Sequence, residues 1–173
     1  GFAYLSSLPL WNLAEPVMEK LVEALKESCS AAVLDGADIV YVLRVPTHKI
    51  MSINVGIGSR LPAACTSMGR TLLAELDALA VDALLHQHPL AAHTGRTITD
   101  AAALHAELAH VRAQGWCLVD QELEEGLVSL AVPIRVDTPE RWQGLERKVM
   151  VVVHPLSGVD APSSFDLETG RLC

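Results

Sequence analysis

The sequence predicts an α+β domain in which helices pack on one largely antiparallel sheet. Helix-like and strand-like segments occur in groups, in the order helix, three strands, three helices and three strands. Such grouping, with a hairpin-like turn between the first two strand-like runs, is typical of the α+β class. The chain has 173 residues, and half of them are apolar. This is enough for one domain with its own core.

The first helix is predicted over 13–26, because leucine and valine recur there every four residues among charged side chains. Pro16 would then lie in the first turn, where its missing N–H donor costs little. Two β-rich runs at 30–35 and 39–45 are joined by a Gly-Ala-Asp turn, which predicts a hairpin. A third alternating run, at 50–55, predicts another strand.

Helical patterns follow near 67–76 and 78–87, and a loop that contains histidines comes next. Asp100 predicts the N-cap of a strong helix over 101–114, and Gly115 predicts its end.

The last strands are predicted at 116–122, 127–135 and 148–154. The rest of the segment 136–173 shows no regular pattern. No internal repeat is present.

The net charge is −8, from 13 basic and 21 acidic residues. A free-standing nucleic-acid binder would carry a basic patch, and an acidic chain does not fit that class. No apolar run is long enough to span a membrane, and no signal peptide precedes the fold. Cys29, Cys65, Cys117 and Cys173 show no C-x-x-C spacing, which predicts reduced, buried thiols in a cytoplasmic protein. The chain starts with glycine instead of methionine, so a preceding segment is expected.

The stretch LPAACTSMGRTLLA (61–74) runs through small and hydroxylic residues just before a helix. Thr66 or Ser67 can cap that helix. The N–H groups of Ser67, Met68 and Gly69 then lack intrahelical acceptors and can hold an anion. Gly69 also allows a ligand to approach the backbone closely. From this stretch alone, a plain N-cap with water on the remaining groups is the commoner case.

Catalytic and metal-binding interpretations are disfavoured. Ser67 is followed three residues later by Arg70, and arginine does not give up its proton to serve as a base. His86, His88 and His93 share one loop, but the usual metal-ligand spacings are absent.

The strand 127–135 carries two small side chains, Ser129 and Ala131, next to each other on one face. Small residues with one polar group suit a ligand pocket, although close packing of a helix explains them equally well. Asp120 and Glu122 alternate onto one face of the preceding strand, so one of them can point into such a pocket. An acidic run at a strand end is more often a solvated turn.

Two arginines, Arg44 and Arg60, can each pair with a carboxylate through two parallel hydrogen bonds. For either arginine taken alone, a surface salt bridge is the commoner role.

Several motifs together resemble the IclR-type bacterial transcriptional regulators. GWCLVDQELEEGLVSLAVPI (115–134) resembles the signature segment of that family, and GSRLPAACTSMGRTLLA (58–74) resembles its helix entry. GFAYLSSLPLW (1–11), LDGADIVYVLRVP (34–46) and RTITD (96–100) resemble more specifically its PcaR/PcaU/PobR branch. The segment after 135 departs from the family pattern.

The resemblance implies a GAF-like or profilin-like effector domain, with a curved antiparallel sheet flanked by helices. Residues 1–12 would end the interdomain linker, and 13–173 would form the effector-binding domain. The winged helix-turn-helix that binds DNA in this family would lie outside the chain. In this branch the effectors are aromatic acids or ring-cleavage products, such as protocatechuate, 4-hydroxybenzoate and β-ketoadipate, and the regulated genes serve aromatic catabolism.

The resemblance also implies a ligand site beside the start of the helix in 61–74. The expected ligand-binding residues are Ser67, Met68, Gly69, Ser129, Asp120, Ile50, Ile53, Leu61, Arg60 and His48. Among these, Arg60 and His48 are candidates to bind the ligand's carboxylate.

The sequence thus predicts a sensor of a small aromatic or dicarboxylic acid that is not an enzyme, uses no cofactor or metal, and forms a dimer or tetramer. Two alternatives remain open. One is an oligomerisation module without a ligand, and the other is an enzyme acting on a small organic acid.

Overall fold

The structure is a computed structural model that describes residues 9–47, 55–134 and 149–154. The helices are α1 (Pro9–Leu25), α2 (Ser67–Leu73), α3 (Ala78–Gln87) and α4 (Ala101–Gln114), with a short 3-10 turn at Ala63–Cys65. The strands are β1 (Ser28–Asp35), β2 (Asp38–Val45), β3 (Arg60–Pro62), β4 (Cys117–Asp120), β5 (Val128–Ile134) and β6 (Val149–His154). They form one open sheet in the order β3-β2-β1-β6-β5-β4, and every neighbouring pair is antiparallel. The predicted fold class is confirmed.

Helix α1 is present as predicted, but it begins earlier, and Trp11 and Met18 form the centre of its buried face. It begins at Pro9, so Pro16 lies inside the helix and the predicted linker boundary after residue 12 falls within it. Leu13 is 74% exposed, whereas Trp11 and Met18 are buried. Of the residues whose recurrence predicted this helix, Leu21 packs against the apolar cluster that contains Trp11 and Met18, whereas Leu13 does not. Burying a tryptophan and a methionine removes more apolar surface from water than burying Leu13 would.

The helices pack on opposite faces of the sheet. Successive side chains of a strand point to opposite faces, and on β1 Ala31 belongs to one apolar cluster while Ala32 belongs to the other. Helix α1 covers the first face through Trp11 and Met18. Helices α2, α3 and α4 cover the second face, for example through Met68.

A β-bulge in the β1–β2 hairpin changes which residues of β2 face these helices. Ala31 pairs with Leu43 and Ala32 pairs with Tyr41, so Val42 is the extra residue. Leu43 lies in the cluster under α1, and Tyr41 lies in the cluster under α2. Since alternation resumes beyond the bulge, the next side chain after Tyr41 on the α2 face is Arg44.

Local signals in the sequence predicted several element ends correctly. Gly36 has φ +63° in the tight turn between β1 and β2. The Asp100 side chain accepts a hydrogen bond from the Ala103 N–H at the start of α4, and Gly115 ends that helix with φ +84°. Strand β3 was not predicted, and the predicted strand at 50–55 lies outside the described residues except for Val55.

The cysteines that the structure describes are free and buried, as predicted: Cys29, Cys65 and Cys117. Burial raises the pKa of Cys29 and of Cys117 to about 12 and that of Cys65 to about 11, so these thiols stay protonated near neutral pH. Cys173 lies outside the described residues. No helix in the described ranges is long and apolar enough to cross a membrane.

Candidate functional site

A pocket lies between the start of α2 and the sheet. Its walls come from β2, β3, the 3-10 turn, α2, β4, β5 and the loop before β5: Tyr41, Leu61, Cys65, Thr66, Ser67, Met68, Val119, Leu123, Leu127 and Ser129. The cavity among them has a volume of about 10 Å³. It therefore has room for roughly one water molecule. A ligand the size of an aromatic acid requires the walls to move apart.

Helix α2 begins with Thr66 as its N-cap. Thr66 has extended backbone angles, and its Oγ1 accepts a hydrogen bond from the Gly69 N–H at 3.2 Å. The sequence alone did not decide whether Thr66 or Ser67 is the N-cap. Because Thr66 takes that role, the Ser67 side chain is released from capping, and the N–H groups of Ser67 and Met68 have no intrahelical acceptor.

The Ser67 hydroxyl forms a hydrogen bond across the pocket. Its Oγ donates to the Ser129 Oγ of β5 at 2.8 Å, and both side chains are buried. The sequence pointed to these two serines through separate motifs, and the fold brings them together. A hydroxyl can donate one hydrogen bond and accept two, so each serine keeps capacity for a further polar group in the pocket.

Gly69 has a packing role that the sequence did not reveal. A Cβ at this position would lie 2.1 Å from the Ala63 carbonyl oxygen, far inside contact distance. The glycine is needed because α2 packs directly on the 3-10 turn. The structure does not place Gly69 among the residues that line the pocket.

A buried ion pair connects α2 with the loop that precedes β5. Arg70 Nη1 and Nη2 donate to the two Glu122 carboxylate oxygens at 2.6 and 2.5 Å, and Arg70 Nε donates to the Ala64 carbonyl at 2.7 Å. The Ile98 N–H also donates to Glu122. This pair fixes the start of the loop that carries Leu123 of the pocket wall. The sequence noted that Asp120 or Glu122 could face inward, but it did not reveal Arg70 as the partner.

Two of the predicted charged site residues lie away from the pocket walls. Asp120 pairs with Arg96, and about half of each side chain is exposed. Arg60 binds Asp35 and Asp38 at 2.6 and 3.1 Å, also at the surface. Both side chains form surface ion pairs with residues of opposite charge, and the linear sequence does not reveal these pairs.

Leu61, Ser67, Met68 and Ser129 line the pocket, and their role in binding a ligand stays a prediction. The other predicted wall and carboxylate residues, His48, Ile50 and Ile53, lie outside the described residues.

Tyr41 is a lining residue that sequence reasoning missed. It is 2% exposed, and burial raises the pKa of its phenol to about 12. The phenol therefore stays protonated and can donate a hydrogen bond. The alternation along the strand 39–45 could have placed it on the sheet's inner face, but no sequence feature tied that face to the helix entry.

Within the described ranges, no group of three or more metal-ligating side chains comes together. His86, His88 and His93 are all exposed.

Comparisons with known proteins agree with this architecture. The sequence profile described as "Bacterial transcriptional regulator IclR C-terminal" matches residues 2–142. The chain is 48% identical over 135 residues to the Pca regulon regulatory protein of Pseudomonas putida, covering 78% of this chain and 46% of that protein. The chain spans about half the length of the curated relatives it matches.

Two similar solved structures are described as complexes with aromatic acids. One is a double mutant of the PobR inducer-binding domain from Acinetobacter with 3-hydroxybenzoic acid. It has 29% identity and a TM-score of 0.71, and the match covers 85% of this chain and 83% of that one. The other is an IclR homolog from Microbacterium hydrocarbonoxydans with 4-hydroxybenzoate. It has 26% identity and a TM-score of 0.77, and the match covers 92% of this chain and 62% of that one.

Proposed function

This chain belongs to the IclR family of bacterial transcriptional regulators, and we propose that it binds a small aromatic or dicarboxylic acid in the pocket beside α2. The observation that carries the proposal is the Ser67–Ser129 hydrogen bond, which places two buried hydroxyls inside a pocket with mostly apolar walls. A few placed polar groups within apolar walls are typical of small-molecule sites. The aromatic acids named with two similar domains support the same ligand class.

Ligand entry would replace the serine–serine contact. An acid's carboxylate can accept hydrogen bonds from the Ser67 and Ser129 hydroxyls and from the N–H groups of Ser67 and Met68. Leu61, Leu123 and Leu127 would contact the apolar body of the ligand. Because the enclosed space is small without a ligand, we expect binding to move α2 away from β5 or to shift the loop before β5. A ligand shifts such an equilibrium only as far as its affinities for the two states differ.

The proposal extends to the whole regulator. We propose that a winged helix-turn-helix outside these residues binds DNA, that the protein is a homodimer or homotetramer, and that it controls genes of aromatic catabolism. The named role of the Pseudomonas putida relative in the Pca regulon supports the pathway.

A titration with acids tests the ligand proposal. Protocatechuate, 4-hydroxybenzoate and β-ketoadipate would be screened by thermal shift, and any hit would be measured by calorimetry. A ligand at about 100 times its Kd adds roughly 2.7 kcal/mol to the free energy of unfolding. Ser67→Ala and Ser129→Ala should each weaken binding by roughly five- to tenfold, since each removes about one hydrogen bond. Ser59→Ala is the control, because Ser59 is not among the residues that line the pocket and its hydroxyl accepts from the Gly56 N–H.

Three results would decide against parts of this proposal. Unchanged affinity in both pocket variants would show that Ser67 and Ser129 do not bind the ligand. No stabilisation by any acid would favour the oligomerisation module. Turnover of the acid would favour the enzyme alternative.

A further inference from the structure

The pocket reaches the solvent through the leucines of its wall. Leu61, Leu123 and Leu127 are partly exposed, whereas the other described residues that line the pocket are buried. Leu61 lies on β3, whose backbone pairs with β2. Leu123 and Leu127 belong to the loop between β4 and β5. Because the cavity has room for roughly one water molecule, an aromatic acid enters only when part of this wall moves.

Helix α2 is held along its length. In its middle, Arg70 donates to both carboxylate oxygens of Glu122. Beyond its end, Arg112 of α4 donates from Nε to the Ala74 carbonyl at 2.7 Å and from Nη2 to the Leu76 carbonyl at 3.1 Å. All seven residues of α2 are buried. A shift of the whole helix would therefore break several hydrogen bonds and disturb packing on every side at once.

The loop between β4 and β5 is anchored at its base. Thr97 Oγ1 donates to the Glu122 carbonyl at 2.6 Å, and Thr94 Oγ1 donates to the Gln121 carbonyl at 2.7 Å. The Gln121 N–H donates to the Leu127 carbonyl at 2.7 Å, which joins the two ends of the loop. The residues at both ends are thus fixed by the sheet side of the loop and by the segment before α4.

The tip of the loop, residues 123–126, is held more weakly, and we call it the lid. In the part of the chain that the structure describes, its hydrogen bonds stay within the loop. The Gly126 N–H donates to Gln121 Oε1 at 2.9 Å, and the Leu127 N–H donates to the Glu124 carbonyl at 3.1 Å. The last three lid residues are exposed. Segments with few buried contacts and solvent-exposed backbone hydrogen bonds open at a low free energy.

The two ends of the lid differ in their freedom to move. On one side Glu122 is fixed by its ion pair with Arg70. On the other side Gly126 has φ +82°, and the space where a Cβ would lie is open. Glycine adopts positive and negative φ about equally well, so it can absorb a backbone rotation. The lid can therefore swing at Gly126 without displacing the anchored base.

We infer that the lid opens to admit the effector while α2 stays in place. This inference rests on the proposed function and assigns the movement that binding requires to one short segment. Opening breaks hydrogen bonds within the loop and withdraws Leu123 from the wall, whereas the Arg70–Glu122 pair stays closed. The entrance also carries negative charge, because Glu124 and Glu125 are exposed on the lid. These carboxylates repel an anion that enters beside them.

Binding rates of the unaltered chain and of Gly126→Ala test the lid. 4-Hydroxybenzoate, protocatechuate and β-ketoadipate are screened by calorimetry, and the tightest binder is followed by stopped-flow fluorescence. Alanine disfavours the φ of +82° that the closed lid requires. The association and dissociation rates should both rise about five- to tenfold. Kd should change less than about twofold, because the strain acts on the closed lid with or without ligand.

Gly36→Ala is the matched control for backbone strain. Gly36 has φ +63° in the turn between β1 and β2, and a Cβ there also meets open space. This variant should lose stability as Gly126→Ala does, but its binding rates should equal those of the unaltered chain. Thermal melting of both variants measures the loss of stability.

The charge of the lid gives a second test that leaves the backbone unstrained. The double variant Glu124→Gln with Glu125→Gln should raise the association rate of the acid about two- to fivefold at low ionic strength. The difference should vanish near 1 M salt, where the Debye length is about 3 Å. Glu19→Gln with Glu23→Gln is the control. It removes the same charge from exposed positions of α1, on the opposite face of the sheet, and should leave the association rate unchanged.

Hydrogen exchange followed by mass spectrometry compares the lid with α2 directly. Peptides that cover 121–127 should exchange quickly in the free chain and slowly with the acid bound. Peptides that cover 67–73 should stay protected in both states. A ligand-dependent change confined to 67–73 would overturn the inference, because α2 would then be the part that moves.

The rate measurements separate this inference from the proposed function. An acid that binds with unchanged rates in Gly126→Ala would overturn the lid and leave the pocket in place. The same holds if Gly36→Ala changes the rates as much as Gly126→Ala, or if Gly126→Ala weakens binding without faster association. Failure of every acid to bind the unaltered chain would overturn both proposals.

Discussion

The two faces of the sheet bury different kinds of side chain. Under α1 the contacts that build the core are apolar, centred on Trp11 and Met18. Under α2 the core also contains buried hydroxyls and the Arg70–Glu122 ion pair. Burying polar groups is costly unless they are paired, so a face that buries several of them needs either internal partners or a ligand. We call the α1 side the packing face, and we call the α2 side the recognition face because the proposed ligand site lies there.

The largest expected effect comes from breaking the buried ion pair on the recognition face. Glu122→Ala leaves the Arg70 charge buried without its carboxylate and should lower the free energy of unfolding by about 3–5 kcal/mol. It should also weaken acid binding, because Glu122 anchors the loop that carries Leu123. Urea denaturation and calorimetry measure the two effects.

The double variant Arg70→Met with Glu122→Leu is the control for charge burial. Replacing both partners by apolar residues should recover at least half of the lost stability, because no unpaired charge remains. A Glu122→Ala loss below about 1 kcal/mol would contradict the view that this pair is desolvated.

On the packing face, Met18→Ala should cost about 2–5 kcal/mol through the cavity it leaves. The affinity for the acid should stay unchanged, since Met18 belongs to α1, which packs on the opposite face of the sheet from the pocket. Leu13→Ala on the same helix is the control. Leu13 is 74% exposed, so its loss should change stability by less than about 0.5 kcal/mol. A change in acid affinity for Met18→Ala would contradict the expectation that the α1 face does not contribute to ligand binding.

Gly69→Ala should have a smaller effect, a loss of roughly 1–3 kcal/mol from overpacking, because the new Cβ collides with the Ala63 backbone. The start of α2 must then shift, so acid affinity should fall as well. Gly95→Ala is the matched control, since a Cβ there meets open space. Its melting temperature should equal or slightly exceed that of the unaltered chain. Equal melting temperatures for the two variants would contradict the close approach of α2 to the 3-10 turn.

The elements most accurately predicted were those whose ends depend on local chemistry. The Asp100 cap, the Gly115 end of α4 and the Gly36 hairpin each follow from backbone preferences of a few adjacent residues. Periodicity predicted helix α1 correctly, but it did not reveal that the sheet buries Trp11 and Met18 and leaves Leu13 exposed. Helix α2 was placed correctly near 67, but its capping residue was left open between two hydroxyls.

The candidate site was only partly accessible from sequence. Ser67 and Ser129 were each singled out by their own motif, and family resemblance joined them. The partners of Arg60 and Asp120 could not be foreseen, because each lies 22 to 25 residues away in the chain. Tyr41 escaped notice because an aromatic residue in a strand is usually only part of the core.

The sequence by itself determined the helix and strand types, the local turns and caps, and the family to which the chain belongs. These depend on short-range backbone preferences and on motifs that can be read in order. Only the tertiary structure decided that Ser67 meets Ser129, that Arg70 meets Glu122, and that a single bulged residue puts Arg44 on the α2 face of the sheet. Those pairings join residues far apart in the chain, and a one-residue shift in register moves a side chain to the opposite face of the sheet.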